Sequence, residues 1–206
     1  MPTLGLAMIV RDEEKNLPRL LESLKGEVLD EIVIVDTGSK DRTKDVAIQH
    51  GCEVFDFEWI DDFSAARNFA FSKAKSEFVM WLDADDVILP QDKDRLLALK
   101  NNLGGADAYL MAYDYAQDEF GKSIALFQRH RILRVSKGPR WELPIHEHLN
   151  VHAGWRVEKT NVTVTHRRSL DALTKYKGRN VRILEKACAK HPENGRLKYY
   201  YGRDLY

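Results

Sequence analysis

The chain has 206 residues, 44% of them hydrophobic and 31% charged, with 32 Lys plus Arg balanced by 32 Asp plus Glu. This suits one α/β domain with a real core and excludes a disordered chain, while the zero net charge removes any argument for bulk attraction to nucleic acid or anionic lipid. No run approaches the ~18 apolar residues of a membrane span, Arg11 breaks the apolar start too soon for a signal peptide, and the distant Cys52 and Cys188 read as free thiols of a cytoplasmic protein.

In chain order, LGLAMIV at residues 4–10 is a continuous apolar run, the pattern of a parallel strand covered on both faces. RDEEKN follows, then Leu17, Leu20, Leu21 and Leu24 at helical spacing. EIVIVD at 31–36 is a second buried strand. TGSKDRT turns at Gly38 into a helix with Ser39 or Asp41 as N-cap, and Gly51 stops that helix after His50. CEVFDF gives a third strand, Phe63 to Ala74 a helix, Glu77 to Leu82 a fourth strand, and a helix begins near Pro90. Strand–helix repetition with short loops predicts an α/β fold, a mostly parallel open sheet with helices on both faces.

After about residue 104 the pattern changes. ADAYLMAYDY and SIALFQRHRILRV, joined by the polar DEFGK, predict an antiparallel extension, and WRVEKTNVTVTH at 155–166 a further strand. From Ser169 the spacing of Leu170, Leu173, Tyr176, Val181, Leu184, Ala187 and Cys188 is helical. Pro192 breaks it, and Asn194 to Tyr206 completes a C-terminal helical hairpin.

Open α/β sheets bind ligands beyond the carboxyl ends of their strands. Arg11, Asp12 and Glu13 follow the first strand, Asp36 to Ser39 the second, Asp61, Asp62, Ser64, Arg67 and Asn68 the third, and Asp83, Asp85 and Asp86 the fourth. Carboxylates at this density repel, and desolvating them is costly unless a cation lies between them. A hard divalent ion takes such oxygens and shares its remaining positions with phosphate and water. Asp83 and Asp85, at i and i+2, would face one side of an extended segment. A solvated turn, or Asp86 capping the helix at Pro90, explains the same residues. Asp36 also fits a plain turn, and Arg67 in SAARN fits a surface ion pair. Neither GxGxxG nor GxxxxGK[ST] is present, which counts against a dinucleotide dehydrogenase and a P-loop nucleotidase.

In order and spacing, AMIVRDEEKNLPRLLESL, EIVIVDTGSKDRT, FSAARNFAFSKAKSEFVMWLDADDVI and PIHEHL make the chain resemble a family 2 glycosyltransferase of the GT-A (Rossmann-like) fold, over nearly all of residues 3–166. The resemblance implies transfer of a sugar from a nucleotide-diphosphate donor, most often a UDP-sugar, with Mn²⁺ or Mg²⁺. It implies that Val10 and Arg11 line the nucleoside pocket, Asp36 contacts the nucleobase and Arg67 faces the nucleotide. Asp83 and Ala84 lie at the ribose, Asp85 is the principal metal ligand with Asp83 beside it, and His166 is a second ligand. The ion would neutralise the departing diphosphate.

An inverting transferase also needs a base. Glu147 of PIHEHL is the residue expected, with His146, His148 and Trp141 as acceptor or donor-loop contacts. A loop-fixing role for His146 or Glu147, and core packing for Trp141 and Trp155, fit as well. HEH lacks the spacing of a zinc HExxH helix. Arg129 and Arg131, alternating around His130, suit an acceptor site or a wet sheet edge, and Arg167 and Arg168 suit the diphosphate or a basic turn.

The expected organisation is a GT-A domain at 1–168 and a helical tail at 169–206. The branch often carries C-terminal tetratricopeptide-like helices, and HPENGRLKYYYGRDLY is similar to the opening of one such unit, either a minimal form or a cut one. Its tyrosines, Tyr199, Tyr200, Tyr201 and Tyr206, would pack on the sheet or build a homo-oligomer. The activity implied is metal-dependent, inverting transfer. UDP-glucose is taken as a starting choice of donor, and the acceptor is open among glycan, lipid, peptide and modified nucleobase. A nucleotide-sugar-binding scaffold and a nucleotidyltransferase are the other readings, the latter disfavoured by the lack of a Gly-rich, Lys-containing N-terminal loop.

Overall fold

The computed structural model describes residues 1–167 and 177–205. The expected helical stretch from Ser169 to Tyr176, together with Arg168 and Tyr206, lies outside them. In chain order the elements are β1 (Leu4–Val10), α1 (Leu17–Ser23), β2 (Glu31–Asp36), α2 (Thr43–Gln49), β3 (Glu53–Asp56), α3 (Phe63–Lys73), β4 (Phe78–Met80), β5 (Asp86–Val87), α4 (Pro90–Asn101), β6 (Ala108–Gln117), β7 (Ser123–Arg134), β8 (Trp141–Glu142), β9 (His148–Leu149), β10 (Val157–His166), α5 (Lys177–Lys190) and α6 (Gly195–Leu205).

One sheet takes the order β3-β2-β1-β4-β7-β6-β10-β5. β3, β2, β1 and β4 are parallel. β7 runs antiparallel to both β4 and β6, β10 parallel to β6, and β5 antiparallel to β10. The parallel half and the antiparallel extension are therefore one sheet. The continuous apolar runs follow from cover on both faces. Leu4, Leu6, Met8 and Val10 of β1 pack with Leu17, Leu20 and Leu21 of α1, while Ala7, Val33, Val35 and Val79 meet Ala70 and Phe71 of α3 from the other side. A small separate sheet pairs β8 with β9. Among the described residues no helix is long and apolar enough to cross a membrane.

Three local features depart from the sequence pattern, and all three shape the site. The fourth strand stops at Met80 rather than Leu82. The DADD segment is a closed turn and not the extended stretch expected: Asp86 N–H donates to Asp83 O (3.0 Å), and Asp83 N–H donates to Asp86 Oδ2 (3.0 Å). Asp86 thus caps its own turn, while α4 begins at Pro90 with no side-chain cap. The ladder between β6 and β7 slips at Arg131, because Tyr109 faces Ile132 and Leu110 faces His130. Arg131 is the extra residue of a bulge, which turns its side chain inward.

The described residues of the tail pack away from the sheet. Ile183, Leu184 and Ala187 of α5 and Leu197 of α6 enclose Ile145, with Trp59, Phe63 and Tyr200 alongside. The tail covers the 59–63 and 143–146 segments, and Tyr199 stays exposed.

Candidate active site

A cleft of about 550 Å³ opens at the carboxyl ends of β1 and β4, where the strand order reverses between chain neighbours, the place where open α/β sheets bind ligands. Val10, Arg11, Arg67, Asp83, Ala84 and Asp85 line it together. Thr37 reaches the same cleft from the end of β2. Asp36 lies beneath it: Oδ1 accepts from Gly38 N (2.9 Å) and Ser39 N (2.8 Å), a turn made possible by φ +99° at Gly38. Its Oδ2 is buried with no hydrogen-bond partner among the described residues.

Behind Asp85, which lines the cleft, one carboxylate oxygen each of Asp85 and Asp86 and a ring nitrogen of His166 lie within 4.8 Å of one another. His166 Nδ1 is 3.5 Å from Asp85 Oδ1 and 3.4 Å from Asp86 Oδ1, and Tyr113 Oη approaches the same nitrogen at 3.1 Å. Tyr115 stacks on the ring at 5.1 Å. Burial, with the nearby charges of Asp83 and Asp86, raises the Asp85 carboxyl above its ordinary value against the pull of His166. Burial alone would lower His166, but Asp86, Asp85 and Asp83 outweigh it and raise the imidazole. Two carboxylate oxygens and one imidazole nitrogen form a donor set that suits Mn²⁺ or Mg²⁺.

Asp83 serves a different partner. Its Oδ1 accepts from Arg67 Nη2 at 2.7 Å, and Arg67 Nε donates to Glu147 Oε1 at 2.7 Å. Burial pushes the Asp83 carboxyl up, yet Arg67 and Arg131 hold it below its ordinary value. Burial works against the Arg67 charge as well, and Asp83 and Glu147 more than restore it. The guanidinium also lies over Trp81 (5.2 Å) and Trp141 (4.9 Å), a cation–π seat that fixes the fork. Trp141 is buried against Trp81 and Phe71, so it supports Arg67 from below.

The HEH triplet splits three ways. Glu147 turns to Arg67. His146 turns to α6, with Nε2 3.0 Å from Asp204 Oδ2. His148 lies 3.6 Å from Glu142 in the small sheet. Trp155 packs at the edge of the core near His152. Arg129 is exposed over Phe127, and the Arg167 carbonyl accepts from Arg19.

One pairing and several lining residues of the site escape a reading of the sequence. Asp86 and Arg131 form a fully buried pair at 3.3 Å, which no local pattern announces because a bulge creates it. Trp59, Phe63, Arg179 and Arg182 also line the cleft. The only signal for the two arginines is their spacing of three on an amphipathic helix.

Asp61 ties the tail to this wall. It sits at φ +59° and accepts from Trp59 Nε1 (3.0 Å), Arg182 Nη2 (3.0 Å) and Lys186 Nζ (2.7 Å). Lys186 and Arg182 hold its carboxyl down at about 2, from 3.8, against a modest burial effect. A depressed carboxylate contributes stability that is complete above 3.8 and is lost as pH falls through about 2. Near-ultraviolet circular dichroism during acid titration should therefore show the Trp59 environment loosening in that window. An identical transition in Asp61→Asn would refute the assignment.

The sequence model of Glycosyl transferase family 2 matches residues 6–164. The chain is 36% identical over 148 residues to a TPR repeat-containing protein of Synechococcus elongatus, covering 71% of this chain and 35% of the relative. It is 24% identical over its whole length to the SPbeta prophage-derived glycosyltransferase SunS of Bacillus subtilis, covering 50% of that protein. The chain thus spans between about a third and a half of these relatives. S. aureus TarS 1–349, solved in complex with UDP, superposes with a TM-score of 0.61 at 17% identity over 98% of this chain and 70% of that one. A complex of the same TarS fragment with UDP-GlcNAc gives 0.58 at 16% identity, covering 98% and 71%. The likeness shows a shared fold, the GT-A arrangement.

Proposed function

The chain belongs to glycosyl transferase family 2, and from that premise we propose that its cleft binds a UDP-sugar with Mn²⁺ or Mg²⁺ and transfers the sugar, with inversion, to an acceptor. The observation that carries this reading is the convergence of Val10, Arg11, Arg67, Asp83, Ala84 and Asp85 on one cleft beside the Asp85, Asp86 and His166 group. Uridine is chosen because TarS, which shares the fold, was solved with UDP and UDP-GlcNAc. Those complexes also make N-acetylglucosamine a donor sugar to test beside glucose.

In this reading Val10 and Arg11 flank the nucleoside, and the unpartnered Asp36 Oδ2 accepts an N–H from the base, the kind of partner a buried acceptor requires. Asp83, locked by Arg67, is held ionised beside the ribose. Asp85 and His166, with Asp86 behind them, hold the divalent cation. When bound, that ion supplies positive charge to the diphosphate as it leaves. Arg182 and Arg179 face the same cleft from the tail and add cationic charge to its wall. Glu147 keeps Oε1 on Arg67, and its Oε2, with no hydrogen bond among the described residues, takes the acceptor proton. The acceptor oxygen that gives up this proton forms its bond to the anomeric carbon on the face opposite the diphosphate, whose bond to that carbon breaks, and this gives inversion.

The test is calorimetry with UDP, with and without Mn²⁺, followed by UDP release from a panel of UDP-sugars. Binding that needs the ion, and release from one sugar, are expected. Tight UDP binding with no release from any sugar would instead favour a nucleotide-sugar-binding module. No binding under any metal would overturn the uridine reading.

A further inference from the structure

We propose that α6 is a positioning element for the base, with Asp204 and Tyr200 fixing the backbone ahead of Glu147 through His146. The proposal rests on the reading of Glu147 as base and assigns the tail a part in the reaction.

Glu147 sits on a segment that does not hold itself. The strand after it, β9, is two residues long and among the described residues pairs only with β8. Ahead of it, Leu143 (φ +73°) and His146 (φ +51°) both occupy the left-handed region, which is unfavourable for a side chain with a Cβ and persists only where the surroundings impose it. A general base must keep its place to a fraction of an ångström to act. The restraint therefore has to come from outside the segment.

It comes from the tail. His146 Nε2 pairs with Asp204 Oδ2 at 3.0 Å, and its ring stacks on Tyr200 at 4.1 Å with 19° between planes. Arg196 Nη2 donates to the His146 carbonyl at 3.3 Å. Arg203 donates to the other Asp204 oxygen at 2.8 Å and lies over Tyr200 at 4.8 Å, so the clamp is itself clamped. Ile145 is buried in the apolar cluster of α5 and α6. On the other side, Pro144 O accepts from Phe63 N at 2.8 Å, at the start of α3, the helix that carries Arg67. An unbroken series of contacts runs from α6 to His146, and from the adjacent Glu147 through Arg67 to Asp83. The apolar cluster alone would dock the tail. The polar contacts of α6 converge on His146, the residue that precedes the base, while those of α5 go to Asp61.

The test uses the full chain with Asp204→Ala, Asp204→Asn and Tyr200→Leu, each also combined with Glu147→Gln. The readouts are UDP release from the sugar that turns over, UDP affinity by calorimetry, and amide hydrogen exchange. Asp204→Ala and Tyr200→Leu should lower kcat by about tenfold to a hundredfold, leave donor KM and UDP affinity unchanged, and speed exchange at 143–149 while α5 stays protected. Asp204→Asn, which keeps an acceptor for His146, should recover most of the rate. In the Glu147→Gln background neither change should slow the residual rate further. Full kcat in both Asp204→Ala and Tyr200→Leu, or the same slowing with and without Glu147, would overturn the positioning role. A wild-type rate in Glu147→Gln would overturn the base reading itself, whatever Asp204 does, as would a wild-type chain that turns over no nucleotide sugar.

Discussion

Asp85→Asn should abolish metal-dependent UDP binding and lower turnover by at least about a hundredfold, the upper end of the effect of losing a mere outer partner of a metal site, while raising the melting temperature of the metal-free chain. Both effects have one cause. Asp83, Asp85 and Asp86 are crowded at one turn, and among the described residues two of them have an arginine: Asp83 has Arg67 and Asp86 has Arg131. Among the described residues Asp85 has only His166 as a cationic partner, at 3.5 Å. Burial and its two acidic neighbours therefore raise its carboxyl. A carboxyl whose folded-state value is raised favours the fold at pH below its unfolded value and costs stability as pH rises through the folded one. The cost grows as pH rises through the raised value, and the neutral amide removes it. The same unneutralised charge is what draws a cation. Thermal melts from pH 4 to 8 should show wild type falling relative to Asp85→Asn as pH rises, and Mn²⁺ should raise the wild-type melting temperature alone. Equal Mn²⁺ shifts in the two proteins would remove Asp85 from the metal site.

What the sequence discloses about this site divides along a physical line. LGLAMIV and EIVIVD announce buried parallel strands because burial on both faces leaves no position for a polar residue, so the strand ends and the acids beyond them are legible. Arg67 is legible as a site residue through the motif around it. Its partners are not, since Asp83 is 16 and Glu147 80 positions away, and nothing local couples them. Asp83 and Asp85 look alike in the string DADD. The turn closed by Asp86 gives them different partners, and turns of this kind depend on a side chain that also had a plausible use as a helix cap. Arg131 looks like Arg129, two positions before it, until a one-residue slip in the ladder sends it to the interior. The tail is amphipathic in sequence, but which surface it covers depends on Ile145 and Trp59, far away in the chain.

Arg131→Met should destabilise the fold by about 3–5 kcal/mol, the usual cost of breaking a buried ion pair from one side, as read from urea denaturation. Arg131 and Asp86 are both fully buried. Arg131 Nη1 is 3.3 Å from Asp86 Oδ2 and donates to Trp81 O at 3.2 Å. The guanidinium lies over the rings of Trp81 (3.8 Å) and Tyr113 (4.4 Å), and its Nε and Nη2 have no hydrogen-bond partner among the described residues. Methionine fills much of that slot, so packing contributes little to the loss. The cost arises from an Asp86 charge left in the interior beside Asp83 and Asp85. Two further results follow from that attribution. Adding Asp86→Asn to Arg131→Met should recover most of the stability, because Asn keeps an acceptor for Asp83 N–H and removes the stranded charge; an additive loss instead would mean that Arg131 acts through packing. Mn²⁺ should also stabilise Arg131→Met more than wild type, because a cation at the Asp85, Asp86 and His166 group would neutralise the charge that Arg131 neutralises in its absence. Equal stabilisation by Mn²⁺ in the two proteins would place Asp86 outside the ion's reach and leave Asp85 and His166 to hold it, with Arg131 serving only the turn.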